Sequence, residues 1–104
     1  MIYEILGVPF LVEWADLASN TLGDCDCFVQ RIRLSTRLLE DKEKARQVLR
    51  HEIVHAIMGV SGWGKALDDE QEEGLVTMFE YGLGPFFIDL KLPPKPEKKN
   101  AKTK

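Results

Sequence analysis

His51 and His55 are the only two histidines in the chain, and Glu52 stands between them. On a helix, residues four apart lie one turn above each other, so both imidazoles can point at one metal ion. Glu52 lies three residues before His55, and its carboxylate can reach a water on that ion. His51-Glu52-Ile53-Val54-His55 is therefore an HExxH pattern. Such a pattern offers two histidines to Zn²⁺ and a glutamate to take a proton from the water. The spacers Ile53 and Val54 and the flanks Val48, Leu49, Ala56 and Ile57 are uncharged and apolar, as a buried active-site helix needs.

Two imidazoles leave the ion short of a protein ligand. With no histidine remaining, a His₃ site and the metzincin extension are excluded, and a carboxylate is required. Candidates cluster in Asp68-Asp69-Glu70-Gln71-Glu72-Glu73. Most acids in such a run simply cap a helix and favour its N-terminal dipole. Seventeen residues separate His55 from Glu73, enough for the rest of one helix, a loop and the start of an antiparallel neighbour. Glu73 is preferred to Glu72, with Asp69 as a further alternative. Cys25 and Cys27 permit a rival, a structural Cys₂His₂ zinc site with the two histidines. The one-residue spacing is not that of a finger, and a closed site leaves Glu52 without a task.

The elements that position these groups follow from the rest of the chain. Its 104 residues, 44% hydrophobic and 30% charged, suit one small globular domain hiding about 65% of its unfolded surface. No run approaches the roughly 18 apolar residues of a membrane span, and no secretory leader opens the chain. Cys25 and Cys27 are too close in sequence to staple a fold, so a reducing, cytoplasmic setting is expected. Residues 91–104 hold six lysines and one glutamate, leaving residues 1–90 at a net charge of −8. An acidic body argues against a nucleic-acid-binding domain.

Ile2–Leu6 and Phe10–Trp14 read as strands, Gly23-Asp24 as a turn, and Phe28, Gln30, Ile32 and Leu34 as the apolar side of a third strand. If that third strand is an exposed edge, Arg31 and Arg33 flank a place where a substrate backbone can pair. Asp41 caps the HExxH helix, and Gly62-Trp63-Gly64 forms a loop. Asp68 or Asp69 caps a second helix that turns Glu72, Val76, Phe79 and Leu83 to one side and ends at Gly84-Pro85. Phe86–Leu90 is apolar enough to pack back onto the body. The expected fold is α+β: a small, mostly antiparallel sheet of about three strands packed on the two helices. Residues 1–92 form the domain, and 93–104 a basic, proline- and lysine-rich tail. Trp14, Trp63, Phe79, Phe86 and Phe87 are read as core or pocket walls.

Leu22-Gly23-Asp24 with Ile32-Arg33-Leu34-Ser35, then Gln47 through Ile57, then Glu72-Glu73-Gly74-Leu75-Val76 with Gly82-Leu83, follow one another in a known order. In that order the chain resembles the gluzincin-type metallopeptidases of the ImmA/IrrE group, especially short phage-borne and minigluzincin relatives. The resemblance implies that His51, His55 and Glu73 bind Zn²⁺ and that Glu52 is the general base. It also implies a peptide or protein substrate, with cleavage of a regulatory protein as a family-level expectation. Leu75-Val76-Thr77-Met78 departs from the Asn-Arg-Phe-Ala-like run of the longer members, and no DNA-binding or sensing domain fits. The alternatives are a catalytically inactive zincin-like binding or adaptor module and the structural zinc protein.

Overall fold

The computed structural model describes residues 1–83 and 90–96. Four strands come first: β1 (Ile2–Ile5), β2 (Val8–Ala15), β3 (Gly23–Asp26) and β4 (Arg31–Ser35). A 3₁₀ turn at Thr36–Leu38 leads into α1 (Lys42–Ser61), a single-turn α2 (Trp63–Ala66) and α3 (Asp69–Leu83). The fold is α+β, as expected, with four strands where about three were foreseen. Their order is β1-β2-β4-β3, antiparallel at both ends and parallel between β2 and β4.

Leu6 and Gly7, both at positive φ (52° and 80°), make the two-residue connection of the β1–β2 hairpin. Pro9 fits in β2 because pairing with β4 begins only at Leu11, so its missing N–H costs no ladder bond on that side. Alternation then works as the strand period demands: Phe10, Val12, Ile32 and Leu34 are fully buried against α1, while Leu11 faces out. Leu49 and Ala56 of α1 complete this cluster with Ile5. Burying each of the larger side chains contributes about 2 kcal/mol.

Two expectations fail in the region between β2 and β4. Gly23-Asp24 opens strand β3 instead of making a turn, and the turn lies at 27–30, with Phe28 94% exposed. Asp26 Oδ1 accepts from the N–H groups of Phe28 and Val29, and that local bonding outcompetes strand pairing. Nor is β4 an edge. It lies between β2 and β3, and its two arginines are spent on neighbours: Arg31 pairs with Glu13, Arg33 with Asp24 in a two-bond fork of 3.0 and 2.6 Å. The terminal strand on that side is β3.

Asp41 caps α1 by accepting from Lys44 N–H, and Gly62 closes it in the left-handed conformation. The expected 62–64 loop is shorter, since Trp63 already starts α2. Asp68 and Gln71 cap α3 reciprocally, side chain to backbone N–H in both directions, at 2.7 and 3.0 Å. Arg37 fastens the loop before β3 through the carbonyls of Leu17, Ala18 and Thr21. Residues 90–93 are tied down by three side-chain donors: Arg46 to Leu90 O, Tyr3 to Lys91 O and Trp14 to Pro93 O. Gly84-Pro85, Phe86, Phe87 and the last eight residues lie outside the described residues. Trp63 and Phe79, expected as walls, are exposed, and Trp14 is half-buried.

Candidate metal centre

The buried face of α1 carries Ala45, Leu49, Glu52, Ala56 and Met58, and a charged residue sits in that apolar stripe. Glu52 is 7% exposed. The cause is how closely β3 lies on the helix. A Cβ added at Gly23 would come within 2.6 Å of Val48 Cγ1 and 3.5 Å of Glu52 Cγ, so only glycine lets the strand close over the carboxylate. Two turns further along α1, a Cβ at Gly59 would collide with Cys27 Sγ. Burial pushes the Glu52 carboxyl up to about 7, against the lowering pull of His55 and His51, and Asp24 and Glu73 add to the rise. A carboxyl in that range can hold or release a proton near neutrality.

His51 and His55 project from the same helix, their ring centroids 5.0 Å apart. Helix α3 brings three carboxylates to them. Glu73 reaches both rings, with its oxygens 3.4 Å from His51 Nε2 and 3.0 Å from His55 Nε2. Glu72 meets His55 Nδ1 at 2.6 Å, and Glu80 meets His51 Nδ1 at 3.0 Å. One donor atom each from His51, His55 and Glu73 lies within 4.8 Å of the others, so these three could hold a metal ion. Two imidazole nitrogens and a carboxylate oxygen are a donor set that suits zinc. The site lines a cleft of about 410 Å³ between β3, α1 and the start of α3.

Of the acids weighed from the sequence, Glu73 joins the two histidines while Glu72 turns to the far nitrogen of His55. Asp69 is not in the group. Cys25 and Cys27 also line the cleft, with their sulfurs 3.9 Å apart, but neither belongs to the three-donor group among the described residues. Burial, with Cys27 alongside, pushes the Cys25 thiol far above its ordinary range, so it is protonated in the metal-free protein.

Glu80 escaped the sequence reading. The expected inward stripe of α3 was Glu72, Val76, Phe79 and Leu83. In the structure Val76 is fully buried, Phe79 is 40% exposed, and the carboxylate of Glu80 is 10% exposed. The inward row is thus 72, 76 and 80, a strict four-residue spacing that the sequence does contain.

A family model described as the SprT-like family matches residues 8–65, more than half the chain. The matched span holds β2, β3, β4 and α1, and therefore His51, Glu52 and His55; it ends before α3. The match is to a zincin-like, metalloprotease-related domain, which supports the expected resemblance at the zincin level and lends no support to its ImmA/IrrE branch. No curated protein and no solved structure is a significant match to the chain.

Proposed function

The chain belongs to the SprT-like family, and we propose that it is a zinc-dependent peptidase. The observation that carries this reading is the convergence of His51, His55 and Glu73 beside the buried Glu52. His51 and His55 are the nitrogen ligands and Glu73 the oxygen ligand. Zn²⁺ held there supplies a Lewis acid for the scissile carbonyl and lowers the pKa of water. Glu52 takes the proton from the attacking water and returns it to the leaving amine. Its covering by β3 excludes bulk water from the carboxylate.

A peptide substrate is supported by the sheet. Strand β3 is the terminal strand beside the cleft, so an extended peptide can pair with it and cross the metal group. This edge takes the role first considered for the Arg31–Arg33 strand. No helix among the described residues is long and apolar enough to cross a membrane. A cytoplasmic setting, and a regulatory protein as the target, complete the proposal.

The test is metal content together with peptide hydrolysis. The parent chain is expected to hold about one zinc and to cleave a peptide library; Glu52→Gln should keep the zinc and lose cleavage. A parent that holds zinc and cleaves nothing overturns the peptidase in favour of a binding module.

A further inference from the structure

Each histidine of the metal group is engaged at both ring nitrogens, and the two kinds of partner differ. Both Nε2 atoms face the shared Glu73. The Nδ1 atoms face separate carboxylates, Glu80 for His51 and Glu72 for His55. Glu72 and Glu80 stand eight residues apart on α3, with the fully buried Val76 between them anchoring that face. A carboxylate on a side chain left only 10% exposed needs a partner, and among the described residues His51 is the one Glu80 has. The hydrolytic steps above do not use Glu80, and it lies outside the family match.

A neutral imidazole carries one N–H and one lone pair. A carboxylate accepting from Nδ1–H keeps the proton there, leaves the lone pair on Nε2, stops the ring from rotating and raises its basicity. We propose that Glu80 is a positioning residue: it holds His51 in the tautomer and orientation that present Nε2 to a metal, as Glu72 does for His55. The two ligands from one helix are thereby both oriented by the second helix, which also contributes Glu73. This inference rests on the metal-site reading and is independent of whether the site cleaves peptides.

The experiment uses the full chain labelled with ¹⁵N-histidine. Because only two histidines exist, the ring-nitrogen spectra contain two systems, distinguished by a His55→Gln sample. Zinc affinity is measured by chelator competition for the parent, Glu80→Gln and Glu80→Leu. Loss of an outer partner of this kind costs metal affinity about 10–100-fold, which is expected for Glu80→Leu, with the His51 nitrogens changed and those of His55 kept. Glu80→Gln retains an acceptor without the charge; it should lose less and keep Nδ1–H on His51. Zinc affinity within about twofold of the parent in Glu80→Leu, or an unchanged His51 tautomer, overturns the proposal. Equal losses in both variants, accompanied by a lower Tm of the metal-free protein, overturn it too, because that is a packing role. If Glu80→Leu does not fold, the isosteric Glu80→Gln decides: weaker zinc with a folded core supports the proposal and unchanged affinity overturns it. If the parent binds no zinc, the metal reading fails separately. The His51 tautomer in the metal-free protein then decides, altered by Glu80→Leu in support or unaltered against.

Discussion

Helices α1 and α3 meet at the same site but arrive there by different logic. On α1 the three candidate residues fall within five consecutive positions, and the helix alone sets their relative placement. On α3 they are spread over 72, 73 and 80, and nothing along that helix says which of its acids faces the histidines. The family match makes the same division, since it covers α1 and stops short of α3. A local motif can thus be complete in sequence while half of the site it needs is a product of packing.

The largest effect that separates the two helices should come from Glu52. Glu52→Gln is expected to lower hydrolysis by about 10²–10⁴-fold with zinc content unchanged, measured by turnover and metal analysis side by side. Cleavage at the parental rate would remove the catalytic role from α1. On α3, Glu73→Ala should weaken zinc more than Glu72→Ala does, since in the proposed site one removes a ligand and the other an orienting partner worth about 10–100-fold. The reverse order in a chelator titration would exchange the roles of the two neighbours.

Glu52 also makes α1 responsive to pH in the metal-free protein. Its carboxyl titrates near 7 when folded and near 4.5 in its unperturbed state, so the native state binds the proton more tightly. The stability this adds is complete below about 4.5 and is lost as pH rises through 7. Urea melts should show the parent losing up to about 3 kcal/mol across that window relative to Glu52→Gln, whose difference from the parent isolates this one group. A flat difference would mean that β3 does not bury the carboxylate.

A smaller effect tests the β3–α1 approach directly. Gly59→Ala drives a methyl into Cys27 and should cost about 2 kcal/mol, outweighing the gain in helix propensity of about 1 kcal/mol. Adding Cys27→Ala should recover the stability; no recovery would place the crowding elsewhere. The smallest expected change is in the double variant Cys25→Ser, Cys27→Ser, which should retain full zinc. Release of the metal would revive the Cys₂His₂ site and sharply reduce the part played by α3.

The α+β class and both long helices were legible because their signals are local: apolar spacing of three and four, Asp41 and Asp68 as caps, and glycine at the end of α1. The failures share one physical origin. Strand β3 and the 27–30 turn were exchanged because Asp26 bonds the turn backbone, and alternation of residue types does not report such a bond. Phe79 was assigned an inward place on apolar character, yet packing around Val76 rotates α3 so that Glu80 faces in. Apolarity is a poor guide to burial where a half-buried partner awaits a charge, and His51 is such a partner.

By itself, the sequence determined that two imidazoles and a carboxylate lie on one face of one helix, and that no third histidine exists to complete their site. Backbone geometry over five residues leaves little freedom in that. Only the tertiary structure decided that Glu73 meets both Nε2 atoms, that Glu72 and Glu80 take the Nδ1 atoms, and that Gly23 lets β3 bury Glu52. Those relations depend on how α3 is turned about its own axis and how closely a strand can lie on a helix. Both are set by packing between segments distant in the chain, which no spacing within either segment encodes.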